Sequence, residues 1–369
     1  MQPVDAPLRI LEYYRNVYTA HCNLDVEDIV QRVSRYVFTR EDLLDLAQAA
    51  ATVRLRGNIK PAPDGLTSEL VKGLQLEQIN EILALAISDS TLRPASWSSV
   101  PVTALPKPRG TTIFENRLIA NQATTHKLYL GALKNAIYRD IENSLDSRMG
   151  GIRRGDLPAA WIARVNVAIS KSSEWGIPMV LGFLDISRAF ATIDHGYLIK
   201  ACYRLGIREA WLELTVHELR HTSLALYIRR AFVGDIPLHR GLIEGVPTSS
   251  LLLAIFLTIF WEFIKSQEAY KEHCMVYPAD YGQEHTFMHV AGWVDDWTLA
   301  SPSTQGLQVL LNLVSSGLEF LGMQVALHKF QWLAIGFSNP PNLLYWQGQS
   351  YRRASEVVSL WALISVEGI

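Results

Sequence analysis

Cysteine is scarce in this 369-residue sequence: Cys22, Cys202 and Cys274 are its three. They are too few and too scattered for a disulfide framework or a cysteine-rich zinc site, so a reducing compartment, nucleus or cytoplasm, is expected. The opening Met1-Gln2-Pro3-Val4-Asp5 lacks the basic stretch and apolar run of a secretory signal. Long uninterrupted apolar runs are also missing. The longest, Leu251 to Ile264, contains Glu262 and falls short of the roughly 18 residues of a membrane span, so it reads as a buried helix and no membrane partner is expected. No fixed-period repeat or low-complexity tract is visible, which excludes solenoids and disordered tails. Nor is there a surplus of positive charge: 34 Lys and Arg stand against 36 Asp and Glu, a formal net charge of −2. A surface that binds nucleic acid must therefore be local. The basic clusters are Arg54 with Arg56 and Lys60, Lys107 with Arg109, Arg148 with Arg153 and Arg154, and Arg229 with Arg230. Each of them also reads as ordinary solvated surface.

What the sequence does have is apolar content, 49%, enough to bury a large core in two or three subdomains. Apolar residues recur at helical spacing over Ala6 to Tyr18 and Leu24 to Tyr36, and Thr39 followed by Asp42 reads as a helix start before Leu43, Leu44 and Leu46. Residues 1–50 are therefore a helical extension. Turn residues break the pattern at Lys60-Pro61-Ala62-Pro63-Asp64-Gly65, again at Pro101 to Pro108, and at Met149-Gly150-Gly151. Beyond Pro178 the texture changes. Met179-Val180-Leu181-Gly182-Phe183-Leu184 suits a buried strand that ends on Asp185, and strand patterns continue at Ala225 to Ile228 and on both sides of Asp295.

His289 to Val294 and Trp297 to Ala300 are apolar stretches separated only by Asp295-Asp296, which reads as a hairpin with two carboxylates at its tip. Adjacent aspartates between tryptophans are unfavourable without a cation, because each raises the other's pKa and neither is well solvated. Strand neighbours face opposite ways, so a turn must reorient the pair, with Asp295 the stricter ligand. Taken alone, Asp-Asp equally fits a surface turn. Asp185, at the end of its own apolar strand and followed by Ile186-Ser187-Arg188-Ala189-Phe190 and Ile193-Asp194-His195, supplies the second element. A rival pattern is His217-Glu218-Leu219-Arg220-His221, the His-Glu-x-x-His of zinc metallopeptidases, with Glu244 or Glu262 as a third ligand. A strand from Ser223 to Arg230 would leave His221 at a fraying helix end.

From Thr39 to Leu363 the ordered motifs resemble the reverse transcriptase domain of non-LTR (LINE-type) retrotransposons. Asp185 with Ala189-Phe190 and Asp194-His195 is similar to the family's first catalytic motif, and Trp293-Val294-Asp295-Asp296 to its second. Lys60 to Gly65 with Glu69-Leu70, Leu105-Pro106-Lys107-Pro108 and Arg117-Leu118-Ile119 look like its finger segments. Arg240 to Ser250 is similar to the segment before the long palm helix, Gly322-Met323-Gln324-Val325 with Lys329 to the element after the catalytic hairpin, and Leu360-Trp361-Ala362 to its final strand motif. The resemblance implies an α+β right hand: fingers over 51–178 and a palm over 179–369, with a crossover near 205–245. The palm would be an antiparallel sheet packed on helices, and the thumb absent or truncated. It implies an RNA-directed DNA polymerase in which Asp185, Asp295 and Asp296 are catalytic and hold two magnesium ions, manganese being the alternative. Lys107, Arg117, Phe190, Glu244, Gly245 and Lys329 are then the nucleotide-binding residues, with Phe190 set against the sugar to exclude a 2′-hydroxyl. The implied partners are an RNA template, a DNA primer, deoxynucleoside triphosphates, and thumb or endonuclease regions of a longer polyprotein. The sequence departs from the family pattern at Ala191, Glu244, Ser250, Ala326 and Phe330. Glu244 matters most, since a carboxylate repels a nucleotide where an amide donates to it. A decayed relative that still binds nucleic acid, and the zinc peptidase, are the competing readings.

Overall fold

The computed structural model describes residues 5–19, 24–55, 62–88, 93–106, 116–146, 149–151, 156–277, 286–288, 291–359 and 362–365. The chain forms two compact units, one from Met1–Ser144 with Phe190–Phe256 and the other from Leu145–Ala189 with Leu257–Ile369.

The first unit begins with the expected helices, Asp5–Tyr18, Glu27–Val33 and Arg40–Ala51. Thr39 and Asp42 start the third by a reciprocal capping box: the Asp42 amide donates to the Thr39 hydroxyl at 3.2 Å and the Thr39 amide to the Asp42 carboxylate at 2.9 Å. A four-stranded sheet is ordered Asn116–Ala120, Ser99–Pro106, Ser223–Ile228, Ala231–Pro237, and only its central pair is parallel. The Pro101 to Pro108 stretch was expected to break structure. Instead, residues up to Pro106 form an inner strand. Pro101 is tolerated because pairing to Asn116–Ala120 starts only at Val102, so its missing N–H falls beyond that ladder, while its carbonyl accepts from the Asn121 amide at 2.8 Å. Val100, Val102, Leu118, Leu224, Leu226 and Ile236 project from this sheet onto Ile10, Leu11, Tyr14 and Tyr18 of the first helix. Each such aliphatic side chain contributes about 1.5–3 kcal/mol by leaving water.

The second unit is built on a five-stranded sheet ordered Gln331–Ile335, Met179–Asp185, Asp296–Ser301, Ala291–Trp293, Met149–Gly150. All its pairings are antiparallel except the last. The strand Met179–Asp185 is buried on both faces as its apolar run required. Met179, Leu181 and Phe183 meet Trp161, Val165 and Ile169 of the helix Pro158–Glu174. On the other face Gly182 admits Leu307 of the helix Thr304–Phe320, whose Cδ1 lies 3.0 Å from where a Cβ would stand. This is an α+β architecture, an antiparallel sheet packed between helices. Met149-Gly150, read from sequence as an irregular joint, is its edge strand.

The helix Ser249–Ser266 starts in one unit and ends in the other. By length and composition its 18 residues, mean hydropathy 1.5, are enough to cross a membrane, yet 67% of them are buried in the protein, as in a core helix.

Candidate active site

Pairing across the second unit's sheet places Asp296 directly opposite Asp185, at the mouth ends of neighbouring antiparallel strands. Opposed residues of an antiparallel pair project from the same face of the sheet. The hairpin expected around the acidic pair is present, and its geometry sharpens the expectation. Trp293 pairs with Asp296, so the two-residue tip is Val294-Asp295, and Asp296 is the first residue of the returning strand. The carbonyl of Asp295 accepts from the Ile186 amide at 3.1 Å, which fastens the turn to the residue after Asp185. The His289-Val290 part of the hairpin lies outside the described residues.

Burial, followed by the charges of Asp295 and Asp185, pushes the Asp296 carboxyl up to about 6, while Lys329 opposes the shift. Lys329 is the local counter-charge: its Nζ donates to Asp185 Oδ2 at 2.6 Å. The main chain also grips Asp185, whose carbonyl accepts from the Ala326 amide at 2.8 Å, and Ser187 donates to the Gln324 carbonyl at 2.8 Å. This donor set suits a divalent cation. Its carboxylate oxygens are hard ligands, they repel one another as they stand, and an ammonium already lies against one of them. Among the described residues, however, no three His, Cys, Asp or Glu side chains are gathered tightly around one point as in a loaded metal site, the three aspartates included. With mutual repulsion among the carboxylates, closer approach is unfavourable.

The turn itself is strained. Val294 has φ +56°, and Asp295 does not share the positive sign. That is the type II′ pattern, whose first position normally takes glycine, and a β-branched residue there is a genuine outlier. Three neighbours keep it in place. The buried Trp297 indole donates to the Val294 carbonyl at 3.0 Å and packs against Phe260 and Trp261. Gly150 and Gly151 lie against the other side, where a Cβ would come within 2.6 Å of the Trp293 ring and 2.9 Å of Val294 Cγ2. Sequence reasoning missed this backing. The signal available was the Gly-Gly pair itself, which was taken for a joint.

A family model described as reverse transcriptase (RNA-dependent DNA polymerase) matches residues 114–354, well over half of the chain. The chain belongs to that family. Among solved structures, apo telomerase from Candida tropicalis truncated from its C-terminal domain is similar at 10% identity and TM-score 0.47, over 74% of this chain and 56% of that one. Telomerase from the same yeast in complex with a TWJ fragment of telomeric RNA aligns at 11% identity and TM-score 0.47, over 68% and 43%. The Candida albicans counterpart aligns at 12% and 0.46, over 71% and 46%. The chain spans about half the length of these structures.

Of the other residues that the reverse transcriptase motifs single out, Phe190, Glu244, Gly245 and Arg117 belong to the first unit. Phe190 is half-buried in a 3-10 turn, Ala189–Thr192, and its carbonyl accepts from the Leu242 amide at 2.6 Å. Glu244 bridges the Asn116–Ala120 strand through its carbonyl, which accepts from Ala120 at 3.3 Å. Gly245 has φ +92°, and a Cβ there would meet nothing nearer than 4.0 Å. Its backbone conformation, and no crowding within the protein, is what calls for glycine. Arg117 is exposed on the strand Asn116–Ala120. Lys107, like Lys60, Pro61, Leu360 and Trp361, lies outside the described residues.

The zinc-peptidase pattern is helical, over Glu209–His221, but is not assembled as a metal site. Glu218 turns inward, accepting from His126 Nε2 at 3.1 Å and pairing with Arg93 at 3.6 Å. His221 Nδ1 donates to the His217 carbonyl at 2.9 Å, and the two rings stack 4.2 Å apart. The would-be general base is thus a half-buried ion-pair partner, and one would-be ligand nitrogen is spent on its own helix end.

Proposed function

We propose that this chain supplies the polymerase of a non-LTR retrotransposon, joining deoxynucleoside triphosphates to a primer 3′-hydroxyl along an RNA template. The observation that carries the reading is the pairing of Asp185 with Asp296 beside the strained Asp295 turn, a cluster of carboxylates with Lys329 as its local counter-charge. Asp185, Asp295 and Asp296 are the residues to hold magnesium, or manganese in its place. When bound, such ions activate the attacking hydroxyl and offset charge on the leaving pyrophosphate. The chain's own contribution is position. The sheet register and the Trp297 bond fix where the carboxylates point, and Lys329 neutralises charge beside them and serves the departing pyrophosphate.

Residues 179–369 are then the palm, with a crossover near 205–245, and residues 51–178 the fingers. Phe190 sets its ring against the sugar and disfavours a 2′-hydroxyl, the finger residues Lys107 and Arg117 grip triphosphate oxygens by charge-assisted hydrogen bonds, and Gly245 lets nucleotide and backbone approach closely. Glu244 adds repulsion next to that contact and lowers efficiency.

Primer extension on an RNA template with magnesium tests this, comparing the parent with Asp295→Ala. The expected loss is at least roughly a hundredfold, the scale of removing a metal-binding carboxylate. Extension that survives the substitution rules out the mechanism. A parent as inactive as the variant would favour the decayed nucleic-acid-binding protein.

A further inference from the structure

The strands Ser223–Ile228 and Ala231–Pro237 are joined by two residues, Arg229 and Arg230, with φ +51° and +70°. Two positive φ angles in a two-residue hairpin make a type I′ turn, the turn that Asn-Gly is suited to and that a side chain with a Cβ resists. Both arginines are exposed, and neither is in an ion pair among the described residues. Beside them, Tyr227 and Phe232 are cross-strand partners with ring centroids 5.7 Å apart, and Phe232 is 55% exposed. A register shift at Leu226/Tyr227 marks a bulge, a device that re-aims side chains at a strand end. The hairpin therefore carries two cations in an unfavourable backbone conformation next to an aromatic step open to water, in a protein whose net charge is −2.

We propose that this hairpin tip, Tyr227, Arg229, Arg230 and Phe232, binds single-stranded polynucleotide. Aromatic faces stack on unpaired bases whatever their identity, and paired guanidinium groups donate to consecutive phosphates. Duplex bases are already stacked and cannot use the rings, and an acidic peptide would leave Phe232 in water. The inference rests on the chain working on nucleic acid and assigns it a strand contact outside the carboxylate cluster.

Binding of fluorescent 20-nucleotide oligo-U and oligo-dT to the full chain is the test, with two variants. Arg229→Asn/Arg230→Gly removes both charges while installing the residues the turn favours, so its melting temperature stays equal or rises. Its affinity is expected to fall at least tenfold at about 0.1 M salt, and the slope of log K against log salt to shrink by about 1.4, near 0.7 per lost contact. Phe232→Ser is expected to weaken binding at least about fivefold with the slope unchanged. Parental affinity and slope in the Asn-Gly variant overturn the proposal, as does competition by duplex or by polyglutamate equal to that of oligo-U. Asp295→Ala separates this test from that of the proposed reaction: it should abolish extension and leave oligonucleotide binding intact. Asp295-dependent extension with binding indifferent to Arg229 and Arg230 would refute the hairpin alone.

Discussion

Lys329 and Asp185 are 144 residues apart in the chain and 2.6 Å apart in the structure, an ammonium donating to a carboxylate that has other carboxylates for neighbours. The lysine is half exposed and Asp185 largely buried, so the pair sits at the edge of the carboxylate cluster. On the proposed reading an activating divalent ion and this ammonium favour the same carboxylate. Lys329→Met should therefore lower the metal concentration needed for half-maximal extension several-fold, while reducing the maximal rate about tenfold or more through loss of charge against the leaving group. A magnesium titration of extension rate checks both, and an unchanged or higher metal requirement refutes the competition.

On the proposed reading Asp296 serves ligation at the expense of stability. In metal-free buffer at pH 8, burial and the two neighbouring carboxylates all oppose its charge. Asp296→Asn should melt higher than the parent under those conditions and lose most extension activity. A thermal melt with chelator present, paired with the extension assay, reads the two effects. A lower melting temperature would mean that the carboxylate's contacts outweigh its repulsions.

Gly150 leaves room for the Trp293 ring, and an added Cβ would stand 2.6 Å from it. Gly150→Ala should cost about 1–3 kcal/mol, the scale of overpacking, by displacing the edge strand or the hairpin. Denaturant unfolding measures the stability. Extension should fall along with it, because the displaced segment ends in Asp295. Parental stability would show that the edge strand moves aside freely.

His195 predicts an acid weakness in the first unit. Burial, aided by His239 and Arg240, lowers its pKa to about 4, although Nε2 donates to the Gly241 carbonyl at 2.7 Å and Asp194 favours the charged form. The ordinary value is about 6.5. Above it the imidazole is neutral whether folded or unfolded. As pH falls from 6.5 toward 4, the unfolded chain takes up a proton that the folded one refuses, so stability declines by about 2 kcal/mol at pH 5. Denaturation midpoints at pH 7 and pH 5 should separate more in the parent than in His195→Gln, whose amide can still donate to Gly241. Equal separations would remove His195 as the cause.

Much of this arrangement was legible because it is local. The apolar run Met179 to Leu184 could only be a strand covered on both faces, and the Thr39/Asp42 capping box starts a helix with two residues three apart. Pro101 misled, because whether proline breaks a strand depends on where its neighbour's ladder begins. His217-Glu218-x-x-His221 misled for a similar reason. Its spacing is right for zinc, but His126 and Arg93, brought in from distant segments, claim the glutamate.

For the carboxylates the division is clear. The sequence by itself determined that Asp185 ends a buried strand and that Asp295-Asp296 interrupts a hairpin, since alternation and apolar runs are properties of neighbours along the chain. Only the tertiary structure decided that Asp296 stands opposite Asp185, that Val294 carries the strain of the turn, and that Lys329 and the Gly150-Gly151 edge close in on either side. Strand register and packing are set by contacts between residues far apart in the chain, and no local pattern specifies which distant residue they will bring.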